Sequence, residues 1–276
     1  MNVQGTISKI VDSLKEINGV SALVLGGSRA RGTEGPDSDI DIGIYYDSEN
    51  GLDIAVLRKV AAMLDDDHRD NLVTEIGGWG PWINGGGWLK VDQTPVDLLL
   101  RDQNKVSHII DQCSKGDVTI NYQPGHPHGF VNSIYFAEIA LCKALWDPSG
   151  VVGELKNRTT PYPTMFQKAT IQKFFWEATF SLENGYKGIP KNDLSYIAGC
   201  CFRSVSCLNH VLFALNETYL MNEKGAAAIA DTFSNVPSKY YDRVNLIFTL
   251  ITENLDHLKK ALNIMHELIQ ETESLM

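Results

Sequence analysis

Residues 26–44 read GGSRARGTEGPDSDIDIGI, and this stretch decides the fold. Its second half alternates, placing Asp39 and Asp41 on one face of an extended strand and Ile40, Ile42 and Ile44 on the other. The isoleucine side belongs in a core, so the two carboxylates look out from it. The first half is small and glycine-rich, and it follows the apolar run VSALVL at 20–25. That combination predicts a strand ending in a turn at Gly26-Gly27-Ser28.

Upstream, apolar residues at 7, 10, 11, 14 and 17 have the spacing of one helical face. Downstream, 52–64 has helical periodicity, and 72–76 and 88–91 read as short strands around GGWGPWINGGG. PVDLLL at 95–100 predicts a third strong strand, with Asp97 between Val96 and Leu98. Beyond Phe130 the period becomes 3.6, over roughly 165–185, 193–217, 223–231 and 238–275. The expected fold class is therefore α/β: an α+β mixed-sheet domain over 1–147, followed by an all-α helical domain over 148–276. The break falls in the Asp147-Pro148-Ser149-Gly150 stretch or at 161–163.

At 276 residues and 43% hydrophobic the chain can fill a substantial core. Its 34 acidic and 24 basic residues leave a net charge of -10, which disfavours nucleic acid as a partner. Small polyanions remain accessible, because a divalent metal held between carboxylates reverses the local sign. No apolar run approaches the roughly 20 residues that cross a bilayer, and the N-terminus has no signal-type apolar region. No membrane partner and a cytoplasmic location are expected; the sequence sets no oligomeric state. Cysteines at 113, 142, 200, 201 and 207 lack CxxC spacing and read as reduced, buried thiols.

If the three strands are neighbours, Asp39, Asp41 and Asp97 converge on a space reached by the Gly27-Ser28 turn. Mg²⁺ prefers such oxygen ligands, and two ions between carboxylates clamp both oxygens of a displacement at phosphorus. Glycine admits a phosphate close to the backbone, and serine adds donors. A phosphate-loop lysine of the Walker type is absent from GGSRARG.

The stretch 26–44 together with Asp97 in VDLLL resembles the signature of the polymerase β nucleotidyltransferase superfamily. ALWDPSG (144–150) and FALNETYLMNEKGA (213–226) are similar to bacterial stand-alone members with a C-terminal helical domain, such as aminoglycoside and lincosamide nucleotidyltransferases. The resemblance implies Mg²⁺-dependent transfer of a nucleoside monophosphate from an NTP, expected to be ATP, to a hydroxyl of a small acceptor, with antibiotics among the candidates. It implies that Asp39 and Asp41 ligate two Mg²⁺ ions, that Asp97 ligates the one nearest the acceptor, and that Gly27 and Ser28 hold the terminal phosphates. Arg31 touches phosphate or braces the loop, and Lys224 reaches the triphosphate. The alternative is a regulatory or toxin-antitoxin type protein that adenylylates a protein or binds nucleotide without turnover.

The base for the acceptor hydroxyl is Asp97 or Glu138, which interrupts the apolar run SIYFAEIALCKAL; a structural pair with Lys143 or an exposed strand position is the plain alternative for Glu138. Trp79, Trp82 and Trp88 stack on a ring or, as expected, close a tight hairpin against the core. His126 and His128 have no cysteine or further histidine at zinc-site spacing. Arg203 and His210 share a helix face, similar to the Arg/His pair of HEPN ribonucleases, and Asp65-Asp66-Asp67 reads as a solvated helix end.

Overall fold

The computed structural model describes residues 2–276. Along the chain run α1 (Val3–Leu14), β1 (Val20–Leu25), α2 (Gly27–Arg31), β2 (Ile40–Tyr46), α3 (Ile54–Leu64), α4 (Gly80–Ile83), β3 (Gly86–Val91), β4 (Thr94–Asp102) and α5 (Gln103–Ser114). They are followed by β5 (Ile120–Asn121), β6 (Phe130–Val131), α6 (Ile134–Leu141), β7 (Lys143–Trp146), α7 (Val151–Asn157), α8 (Thr164–Gly188), α9 (Leu194–Leu215), α10 (Ala226–Ala230), α11 (Tyr240–Thr249) and α12 (Leu255–Ser274).

The alternation read at 39–44 sets the layers. Ile40, Ile42 and Ile44 of β2 join Val96, Leu98 and Leu100 of β4 and Leu23 and Leu25 of β1 in one buried cluster. Ile7, Ile10 and Leu14 of α1 and Leu57, Ala61 and Leu64 of α3 cover them. The sheet order is β3-β4-β2-β1-β7, with β2 and β4 parallel and the other pairs antiparallel. Asp41, Asp97 and Arg101 thereby fall on the face opposite α1 and α3.

Two compact units divide the chain, Met1–Asp111 with Tyr135–Pro161 and Gln112–Ile134 with Tyr162–Met276. The expected division at Asp147 differs from this in both directions. Residues 148–161, whose α7 packs on β1, stay with the first unit, whereas 112–134, with the β5–β6 pair, belong to the second. The sequence reading missed β7, a strand of four residues whose pattern is too short to show a period.

Three further expectations change. Residues 72–76 form no strand; Val73 makes an isolated bridge to Gly87. The helical stretch 238–275 is two helices, because the Asn254 side chain accepts from the N–H groups of Asp256 and His257 and starts α12 afresh. α9 is long and apolar enough to span a membrane by composition, yet 78% of its apolar window is buried within the protein.

Asp65 and Asp66 are not a solvated end. Asp65 is fully buried, accepts two side-chain hydrogen bonds from Arg69 (2.9 and 2.7 Å) and accepts one from the Lys90 N–H (2.9 Å). Asp66 accepts from the N–H groups of Asp92 and Gln93, which both have positive φ in the two-residue turn between β3 and β4. That geometry is costly for residues other than glycine, and the carboxylate offsets it. The Arg69 side chain holds the Asp65 carboxyl well below the usual range, against the effect of burial. A depressed value means stabilisation that is present at neutral pH and lost as acid protonates the group. Asp65→Ala is expected to cost about 2 kcal/mol in chemical unfolding at neutral pH, with the gap to the parent protein shrinking as the pH falls below the usual carboxylate range.

Candidate active site

Asp41 and Asp97 are register partners on the parallel pair β2 and β4, and Asp39 precedes Asp41 by two residues. One oxygen from each of the three carboxylates lies within 4.8 Å of the others. The turn after β1 presses on this group. The Gly26 N–H donates to the Asp41 carbonyl (2.9 Å), and Gly27 has φ +60, where a Cβ would overlap the Asp41 carboxylate. Gly27 is thus required twice, by its backbone and by the space it leaves. Ser28 follows in the first turn of α2, where amide N–H groups have no partner within the helix.

Arg29, which the sequence reading passed over, fixes the loop. Its Nε donates to the Asp39 carbonyl (2.8 Å) and its Nη2 to the Ser38 carbonyl. Arg31 is exposed, and its Nε approaches only the Gly27 carbonyl of its own turn, at 3.4 Å. Bracing belongs to Arg29, while Arg31 acts on the site through charge. No periodicity distinguishes the two arginines; only the folded loop does.

Crowding shows in the titration of the site. Burial, and then the charges of Asp39, Asp97 and Glu138, raise the Asp41 carboxyl to about 6, with Arg31 opposing. Burial and then Asp39 raise Asp97. An all-oxygen donor set that resists ionisation in the absence of a cation fits a hard divalent ion.

Glu138 lies on α6, not on a strand, and its partner is Arg101 rather than Lys143. Arg101 Nε and Nη2 donate to the two Glu138 oxygens (2.7 and 2.6 Å), and its Nη1 donates to the carbonyls of Ile83 and Leu100. The Arg101 side chain is 3% exposed. Glu138 therefore neutralises a buried guanidinium and reaches the carboxylates only through its field. Lys224 belongs to the other compact unit, exposed in the segment before α10.

The tryptophans divide in their roles. Tyr135 Oη donates to the Trp82 carbonyl, and Lys105 Nζ lies 4.8 Å from the Trp82 ring centre. Trp79 stacks on Trp88 with centroids 4.5 Å apart, and Trp88, directly opposite Asp97 in the β3–β4 register, is 61% exposed. The expected tight hairpin around 77–87 does not form, since that stretch holds α4 and pairs with 72–76 only through the Val73–Gly87 bridge, and Trp88 is not packed into the core.

In the helical unit, His128 meets Glu177 and Cys207, with ligand-type atoms of the three within 4.8 Å of one another. Spacing along the chain hid this, because the cysteine is 79 residues away. Glu177 is taken by Arg203 Nε at 2.5 Å. His126 faces Glu223. His210 is buried and stacked on Phe174 at 4.1 Å, and burial lowers its imidazole to about 3. It offers no exposed partner to Arg203.

Residues 7–115 match the nucleotidyltransferase domain family. That segment is a nucleotidyltransferase domain of the polymerase β superfamily. No curated protein matches it. Among solved structures, the nucleotidyltransferase-like protein from Exiguobacterium sibiricum 255-15 aligns over 99% of this chain and 78% of its own, with a TM-score of 0.46 and 9% identity. The matched residues hold Gly27, Ser28, Asp39, Asp41 and Asp97, and Glu138 lies outside them.

Removing either partner of the Arg101–Glu138 pair leaves a buried charge. Glu138→Ala is expected to cost about 3 kcal/mol or more in denaturant unfolding, and Arg101→Met with Glu138→Met to recover most of it. Asp41 behaves in the opposite sense. Its raised value means that the folded chain loses stability as pH rises through the usual carboxylate range to about 6. Metal-free Asp41→Asn is therefore expected to be about 1–2 kcal/mol more stable than the parent at neutral pH, with no gain in acid. Mg²⁺ should raise the Tm of the parent and not that of the variant.

Proposed function

We propose that the enzyme transfers a nucleoside monophosphate from an Mg²⁺-bound NTP, taken as ATP, to a hydroxyl of a small acceptor, with antibiotics among the candidates. The observation that carries this reading is the placement of three carboxylates within 4.8 Å of one another against the Gly27-Ser28 turn. Asp39 and Asp41 would hold two divalent ions, and Asp97 would share the one nearer the acceptor. When bound, the ions offset charge on the phosphoryl oxygens and make the hydroxyl more acidic. The hydroxyl oxygen bonds to the α-phosphorus, the bond from that phosphorus to the bridging oxygen breaks, and pyrophosphate leaves with the electron pair.

Asp97 accepts the hydroxyl proton in this scheme. Glu138 is committed to Arg101, whereas Asp97 has no ion-pair partner among the described residues, and its raised value suits a base. The Gly27-Ser28 turn holds the terminal phosphates through backbone N–H groups and the serine hydroxyl. Lys224 joins them on the strength of the resemblance alone. The assignment of the helical unit to acceptor binding rests likewise on the resemblance. Five free, buried cysteines suit a reducing compartment such as the cytoplasm.

The test is a matrix of NTPs and acceptor classes incubated with the enzyme and Mg²⁺, with mass spectrometry for a nucleotidylated product. Asp39→Asn and Asp97→Asn should lower transfer by at least about a hundredfold, since each removes a metal ligand. Ser28→Ala should lower kcat/KM by about 5- to 150-fold, the equivalent of about 1–3 kcal/mol. Unimpaired transfer by the aspartate variants at saturating Mg²⁺ would overturn the assignment.

A further inference from the structure

The strand registers lay out one row across the outer face of the sheet. Trp88 on β3 stands opposite Asp97 on β4, Asp97 opposite Asp41 on β2, and the Asp41 carbonyl receives the Gly26 N–H at the start of the turn. Neighbouring strands are about 4.8 Å apart, so Trp88 lies about 5 Å beyond Asp97 and about 10 Å beyond Asp41, on the side away from the turn. The carboxylates sit between the turn and the indole.

This order distinguishes the two ends of the reaction and rests on the transfer reading above. With the terminal phosphates at Gly27-Ser28, pyrophosphate departs toward β1. An in-line displacement brings the entering hydroxyl from the opposite direction, from the β3 side and over Asp97. Trp88 therefore stands on the acceptor's side.

Its setting is that of a platform. Trp79 stacks on it, and Trp79 has room because Gly86, two residues before Trp88 on the same face, carries no side chain where the Trp79 ring lies. Trp88 is still 61% exposed, which leaves a rigid indole surface open to solvent beside the carboxylates. The Arg69 guanidinium, itself held by Asp65, donates to the Trp88 carbonyl at 3.4 Å. An indole face is electron-rich and attracts the axial C–H groups that a saturated ring presents from its face. With metal bound, the carboxylates are neutralised and add no preference for a cation.

We propose that Trp88, backed by Trp79, is the acceptor subsite: a hydroxylated saturated ring stacks on the indole and projects its hydroxyl over Asp97. An acyclic polyol has no such face. Saturation-transfer NMR on the full chain tests this with methyl α-glucopyranoside as the ring probe and sorbitol as the acyclic one, with and without Mg²⁺ and the non-transferable analogue α,β-methylene-ATP. Ring C–H signals from the glucoside should exceed those of sorbitol at least fivefold, fall to the sorbitol level in Trp88→Ala, and persist within twofold in Trp88→Phe. Binding of the nucleotide analogue should be unchanged in Trp88→Ala. Equal signals from both probes, no glucoside signal on the parent protein, or a glucoside signal indifferent to Trp88→Ala overturns the subsite. Loss of analogue binding in Trp88→Ala also overturns it and places the base on the indole. Failure of the transfer reading itself shows separately, as analogue binding that ignores Mg²⁺ and Asp41→Asn.

Discussion

Three carboxylates held within 4.8 Å of one another repel, and the first unit is organised around bearing that repulsion. The cost appears in Asp41, whose carboxyl is driven to about 6 by burial and by its neighbours. A flexible loop would relieve it by moving apart. Here Asp41 and Asp97 are locked by the parallel register of β2 and β4, whose opposite faces are closed by the core under α1 and α3. Asp39 lies outside the strand, and Arg29 supplies the missing restraint by binding the carbonyls of Ser38 and Asp39. The frame keeps the charges together, and a cation relieves them.

The same face is closed at one end and open at the other. Toward the C-terminal end of β4, Arg101 spends its donors on Glu138, Ile83 and Leu100, tying α6 and the last residue of α4 to the sheet. Such a buried pair is a poor source of net stability, but breaking it is expensive, so it fixes where α6 sits. Toward the N-terminal end of β4, the sheet carries Asp97, Asp41 and the exposed Trp88. Closing one end confines ligand chemistry to the other.

Supports at a distance follow the same logic. Asp65 and Asp66, at the end of α3, hold Arg69 and the strained Asp92-Gln93 turn, and so set the register of β3 against β4. That register places Trp88 opposite Asp97 rather than on the core face, since a slip of one residue would reverse every side chain. Three adjacent aspartates look solvated in a sequence because charge runs usually are. What the linear pattern lacked was the turn that approaches them from 26 residues away.

Local patterns were enough for much of the nucleotidyltransferase domain. The alternation at 39–44 and 96–100 fixed which side chains are buried, and hence that Asp39, Asp41 and Asp97 share the outer face, because strand periodicity depends on neighbours two residues apart. Gly27 was legible for a similar reason: a turn between a strand and a charged loop calls for a residue without a Cβ. Tertiary structure alone decided the partner of Glu138, the exchange of Arg31 for Arg29 as the brace, the pairing of β7 with β1, and the exposure of Trp88. Each depends on a contact between segments far apart in the chain, and such contacts are set by packing and register rather than by any local period.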